Sequence, residues 1–270
     1  MSNIKLVAID LDDTLLRDDL TISRRTQAVL KRVRKMGIAV TLATGRMFPS
    51  ARPYAEMLGF DIPLITYQGA LVKNALSGEV VYHRPLSPEV ARRVIAFGRE
   101  KKMQVNFYLN DRLYVERITP QGEHYASLAG VPFNRVSDLE ELLVQGAPMK
   151  LLMIEEEPVI DTYFAELREI LDAERLVAHL TKSKPLYLEV SHPDATKGVA
   201  LRELAAWLKA EREEIMAFGD SFNDLEMLEF AGIGVAVANA RPEVRSRARY
   251  VTSSNNDDGV AEALEKLVLS

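Results

Sequence analysis

The chain has 270 residues, is 47% hydrophobic and 27% charged, and carries a formal net charge of −5 with no cysteine. That composition belongs to an ordinary globular protein of one large or two modest domains; it excludes disulfides and thiol chemistry and argues against a nucleic-acid partner. No apolar run approaches the roughly 20 residues of a membrane span, and the N-terminus lacks a signal-peptide pattern, so a cytoplasmic location with no membrane partner is expected.

In chain order, "IKLVAID" reads as a short buried strand, continuous in apolar residues. A helix follows from Thr21 to Lys35, capped by Thr21 or Ser23, striped by Val29, Leu30 and Val33, and stopped by Gly37. "IAVTLAT" is a second buried strand, a helix spans Pro49 to Leu58, and "PLITY" is a third strand. In the middle, "VNFYL" and "RLYVE" flank the turn "ND" as a hairpin. "MKLLMIE" leads into a helix from Val159 to Leu171, and "PLYLEVS" is a further strand. The end of the chain returns to alternation. A helix from Lys197 to Lys209 precedes the strand "EIMAFG", the helix "DLEMLEFA" and the strand "IGVAVA". A helix near Glu243 and a closing helix from Asp257 to Leu267 behind an Asp cap complete the pattern. Alternating strands and helices imply a parallel sheet covered on both faces. The expected fold is therefore α/β, a Rossmann-like parallel-sheet core with an inserted α+β cap domain. Residues 1–83 and 191–270 form the core and 84–190 the cap.

Ligands of open parallel sheets sit at the carboxyl ends of strands. Three polar clusters fall there: "DLDDT", "TGR" and "GDSFND"; a fourth, "TKG", opens a helix. Asp10, Asp12 and Asp13 place three carboxylates within four positions, a repulsion that a hard divalent cation resolves, with Asp220 or Asp224 completing the set. A single acidic turn reads best as solvated, but its repetition at a second strand end favours the metal. An EF-hand does not fit, because Leu15 and Thr21 stand where glycine and glutamate are required. Asp13 is either a turn residue or a support behind the cluster. The Thr44 hydroxyl, the Gly45 N–H and the Lys197 ammonium suit phosphate oxygens. A carboxylate beside a cation and a phosphate can attack phosphorus, and a second carboxylate can move the protons.

The four clusters, in this order, resemble motifs one to four of the haloacid dehalogenase superfamily. The insertion between motifs two and three resembles the cap of its Cof-type sugar and metabolite phosphatases. The resemblance implies a phosphoric monoester hydrolase that uses Mg2+ and an aspartyl-phosphate intermediate on small phosphate esters, sugar phosphates first among them. It makes Asp10 the nucleophile and a metal ligand, and Asp12 the general acid/base with its carbonyl on the metal. Asp220 becomes the main ligand of motif four. Asp224 and Asn223 hold metal-bound water or phosphate, and Thr44 and Lys197 grip the phosphoryl group. A phosphomutase or phosphotransferase on the same fold and a non-catalytic metabolite-binding module are the alternatives.

Two features depart from the pattern. Gln68 in "YQGA" stands where relatives often carry asparagine, and "SHPDATKG" brings His192 and Asp194 close to motif three. Arg46 is balanced between touching substrate and bracing its loop. Tyr108, Arg112, Tyr114 and Tyr187 are the cap's candidates for substrate contact. The scattered His83, His124 and His179 read as surface or structural residues, as does His192. Met149 and Met153 read as core, and "RRTQAVLKRVRK" as the wet face of a helix.

Overall fold

The computed structural model describes residues 3–182 and 184–270 and divides into two compact units. The first comprises residues up to Gly45, Ala51–His83 and Thr196–Ser270; the second comprises Arg46–Ser50 and Arg84–Ala195. The second division falls at Ala195/Thr196 rather than at 190/191, because the last strand of the inserted unit runs through Ser191 and a turn closed by Ala195 N–H on the His192 carbonyl follows it.

The first unit begins with β1 (Leu6–Ile9), α1 (Arg24–Lys35), β2 (Ala39–Leu42), α2 (Phe48–Leu58) and β3 (Pro63–Thr66). Ser23 caps α1, its hydroxyl accepting the Thr26 N–H at 3.0 Å. β3 then folds back through β4 (Leu71–Asn74) and β5 (Val80–His83) as a three-stranded antiparallel sheet, which the sequence reading does not foresee.

The second unit contributes α3 (Pro88–Glu100), β6 (Val105–Leu109), β7 (Arg112–Val115), α4 (Pro120–Ala129), β8 (Phe133–Arg135), β9 (Lys150–Ile154), α5 (Glu157–Ala173), β10 (His179–Thr181) and β11 (Tyr187–Ser191). Its six strands run in the order β10-β11-β9-β6-β7-β8. The β6–β7 hairpin turns on Asn110 and Asp111, both left-handed at φ +50° and +59°, as a tight two-residue turn requires. One sheet face, with Phe107, Leu151, Met153, Leu188 and Val190, packs on Val94 and Phe97 of α3 and Leu167 of α5. Tyr114 also packs against that apolar side. The opposite register positions carry Tyr108, Lys150 and Glu189. Lys150 Nζ and Glu189 Oε2 form a buried ion pair at 2.7 Å, and the Tyr108 hydroxyl donates to that of Tyr125 at 2.7 Å.

The chain returns to the first unit through α6 (Lys197–Leu208), β12 (Ile215–Gly219), α7 (Leu225–Phe230), β13 (Ile233–Ala236), α8 (Pro242–Arg247), β14 (Tyr250–Val251) and α9 (Gly259–Leu267). The parallel sheet runs β14-β13-β12-β1-β2, as the alternating pattern predicts, and a single parallel bridge from Ala43 to Ile65 joins β3 to its edge. Leu6 and Ala8 face a core built with Leu201, Leu204, Ile215, Ala217 and Met227, while Val7 and Ile9, also fully buried, point the other way. The Asp cap expected for the closing helix is absent. Asp258 lies at φ +60° and its carboxylate instead accepts from Arg17 Nη2 at 2.8 Å. Among the described residues no helix is long and apolar enough to cross a membrane.

Removing one partner of a buried ion pair leaves the other charge uncompensated, at a cost of about 3–5 kcal/mol. Lys150→Met is expected to lower the unfolding free energy by about that amount, and Lys150→Met with Glu189→Leu to recover most of the loss. Urea titrations of both variants check this; a single variant as stable as the parent contradicts it.

Candidate active site

Adjacent parallel strands bring their carboxyl ends together. β1 pairs with β12 in a register that sets Ile9 beside Phe218, so the residues after each strand, Asp10 and Asp220, emerge side by side. The Asp10 N–H donates to the Phe218 carbonyl at 3.0 Å, fixing its backbone. The chain then makes a wide turn, closed by Leu15 N–H on the Asp10 carbonyl and Leu16 N–H on the Leu11 carbonyl. Asp13 occupies the left-handed position of that turn at φ +60° with its side chain exposed, so it is a turn residue. Thr14 turns inward, and its hydroxyl donates to Asp220 Oδ1 at 2.9 Å.

The loop after β12 is equally constrained. Gly219 has no Cβ because one would fall 2.5 Å from the Cβ of Asp224. Asp224 Oδ2 accepts the N–H groups of Asp220 and Ser221, both at 3.0 Å, and the Ser221 hydroxyl donates to Asp220 Oδ2 at 2.6 Å. Asp224 is completely buried. Its other oxygen meets Lys197, the first residue of α6, whose ammonium bonds Asp10 Oδ1 and Asp224 Oδ1, each at 2.6 Å. The start of α6 is held on two sides. The Thr196 hydroxyl accepts the Val199 N–H and donates to Glu226, while Gly69, left-handed at φ +103°, packs against the Thr196 carbonyl where a Cβ would collide.

Asp10, Asp220 and Asp224 are all buried, and each offers a carboxylate oxygen within 4.8 Å of the others. Burial works against the Lys197 ammonium, but Asp10 and Asp224 outweigh it and hold its pKa up, so it stays charged. Burial raises the Asp10 pKa well above the ordinary carboxylate value; Lys197 opposes this, and Asp224 and Asp220 add to it. Asp220 is pushed up to about 6, by burial first and by Asp224 second. These shifts describe a buried site short of positive charge. Its hard oxygen donors fit a divalent cation such as magnesium.

Thr44 follows β2, with its N–H on the Ile65 carbonyl and its carbonyl accepting the Gln68 N–H at 3.1 Å, so the loops after β2 and β3 are joined. The Asn223 side-chain N–H donates to Gln68 Oε1 at 2.8 Å, joining the loop after β12 to the same group. Asp12 is half-buried and its carboxylate stands outside the converging trio. Arg46 belongs to the second unit, as do His192 and Asp194. His192 Nδ1 accepts the Asp194 N–H at 3.0 Å, a local turn contact that gives the imidazole a structural use. Thr14, Ser221 and Glu226, which orient Asp220 and the start of α6, escape the sequence reading. Thr14 and Ser221 lie inside the quoted motifs, but Glu226 has no local signal.

The sequence profile of the haloacid dehalogenase-like hydrolases matches residues 7–264. The Bacillus subtilis protein YxeH is 32% identical over 276 residues, covering 98% of this chain and 99% of that one. The 5-amino-6-(5-phospho-D-ribitylamino)uracil phosphatase YitU of Bacillus subtilis is 30% identical, covering 97% and 96%. A haloacid dehalogenase-like hydrolase from Bacteroides thetaiotaomicron superposes with a TM-score of 0.88 at 30% identity, covering 98% of this chain and 99% of that one. With strand-end carboxylates in the family's order and relatives that span its whole length, the chain belongs to the haloacid dehalogenase-like hydrolases, as a phosphoric monoester hydrolase.

Proposed function

We propose that this phosphatase hydrolyses sugar-phosphate-like monoesters of small metabolites through an aspartyl-phosphate on Asp10 and depends on magnesium. The observation that carries the reading is the state of Asp10. It is 5% exposed, one oxygen is pinned by Lys197, and no described residue donates to the other. A buried carboxylate with one oxygen fixed and one open is oriented for attack.

In the first step Asp10 Oδ2 forms a bond to phosphorus while the bond from phosphorus to the leaving oxygen breaks, and Asp12 delivers a proton to that oxygen. In the second step water attacks the same phosphorus, Asp12 takes its proton, and Asp10 is released with inorganic phosphate. Lys197 has three N–H donors and spends two on Asp10 and Asp224, which leaves one for the transferring group. Thr44, Gly45 and Asn223 supply further polar contacts to it. Asp10, Asp220 and Asp224, with the Asp12 carbonyl, are the groups that would hold magnesium, whose charge offsets the negative charge on the phosphoryl oxygens. We assign the choice of leaving group to the second unit. The name of the relative YitU describes a phosphate carried on a ribityl chain, which supports a polyhydroxylated leaving group here.

Asp10→Asn is expected to abolish turnover while leaving the circular dichroism spectrum unchanged; near-normal turnover by the folded variant would falsify the nucleophile assignment. Asp12→Asn is expected to lower kcat by about 10²–10⁴-fold, since proton transfer alone is lost. Turnover is expected to vanish with a chelator and return with magnesium, and undiminished activity in metal-stripped protein overturns the metal reading. A panel of sugar phosphates, pyridoxal phosphate, FMN, nucleotides and an aryl phosphate, compared by kcat/KM, tests the substrate class. Sugar and polyol phosphates are expected to lead; a preference for nucleotides contradicts the proposal.

A further inference from the structure

Gln68 stands where the resemblance leads one to expect asparagine, and the structure gives the longer side chain a use. Tyr67 and Gln68 both have left-handed backbones, at φ +52° and +60°. That conformation costs a non-glycine residue free energy and persists only where the surroundings impose it. Asparagine tolerates it better than most side chains, and glutamine differs from it by one methylene of extra reach.

The side chain is 4% exposed, and its Oε1 is committed to the Asn223 N–H at 2.8 Å. Its Nε2 lies against Gly45, where a Cβ would fall 2.4 Å from Nε2 and 2.8 Å from Cδ. No acceptor among the described residues takes the N–H groups of that nitrogen. A donor that no protein group uses and that is not sealed from solvent is open to a ligand oxygen. This one sits beside the Thr44–Gly45 segment, to which its own backbone N–H is tied through the Thr44 carbonyl.

We infer that Gln68 is a phosphate-binding residue whose Nε2 donates to an oxygen of the phosphoryl group held at Thr44, Gly45 and Lys197. The inference rests on the phosphatase reading above. The bond to Asn223 fixes the amide so that its donor, not its acceptor, faces the anion, and glycine at position 45 makes room for it.

The test is calorimetric titration of inorganic phosphate into the magnesium-loaded full chain. Gln68→Met removes the donor and the acceptor at nearly constant volume. It is expected to weaken phosphate binding roughly ten- to a hundredfold, the worth of one hydrogen bond to a charged group, with the melting temperature held within a few degrees. Phosphate binding unchanged within twofold overturns the inference, and so does parent-like binding by Gln68→Glu, which keeps the acceptor for Asn223 and so isolates the loss of the donor. If Gln68→Met fails to fold, Gln68→Glu keeps the acceptor for Asn223 and replaces the donor by a negative oxygen. It is expected to weaken phosphate at least as much, and unchanged binding again overturns the proposal. Wild-type protein that binds no phosphate sinks the phosphatase reading and this inference together, whereas equal binding by wild type and variant sinks only this one.

Discussion

Three buried carboxylates share one buried ammonium, and the first unit is organised around that imbalance. Like charges about 4 Å apart repel by about 4 kcal/mol even at an effective dielectric of about 20. A whole domain is stable by only about 5–15 kcal/mol. Lys197 reaches Asp10 and Asp224 but is not bonded to Asp220, whose oxygens accept, among the described residues, from the neutral hydroxyls of Thr14 and Ser221. The raised pKa of Asp10 and of Asp220 expresses the same deficit. Under the proposed function a cation from outside the chain completes the site, and the crowding keeps one carboxylate reactive.

The parallel sheet is what makes the crowding possible. Because β1 and β12 are neighbours in register, their ends deliver Asp10 and Asp220 to one place although they stand 210 positions apart in the chain. Helix α6 then brings Lys197 in, and its first turn is locked by the Thr196–Glu226 bond and by the packing of Gly69. Asp220 is aimed by the Thr14 and Ser221 hydroxyls, Asp224 by two backbone N–H groups and Lys197, and Asp10 by Lys197. Charge is therefore placed by the fold before any ligand arrives, the arrangement that electrostatic catalysis requires.

Much of this was legible in the sequence for a physical reason. Strands buried on both faces must be continuously apolar, so "LVAI" and "IMAFG" announce themselves, and aspartates directly after them are conspicuous. The Asn110–Asp111 turn was legible because few residues accept two left-handed positions. Other parts were not. β5 has exposed and half-buried positions and no clean alternation, so the β4–β5 hairpin carries little signal. Helix α3 does carry one, Ser87 and Pro88 ahead of Val90, Val94 and Ile95. The cap at Asp258 failed because its carboxylate found Arg17, 241 residues away, a partner that local rules cannot weigh. The same limit hid Glu226, the pairing of Lys150 with Glu189 and the direction of the Gln68 amide, all set by tertiary contacts between distant segments.

The central claim, that the carboxylate trio is completed by a divalent cation, is tested most directly by calorimetric titration of magnesium into the protein without substrate. The account predicts one ion bound per chain, with binding lost or severely weakened in Asp220→Asn while the fold is retained. A folded protein that takes up no divalent ion, or an Asp220→Asn variant that binds it as tightly as the parent, contradicts the account.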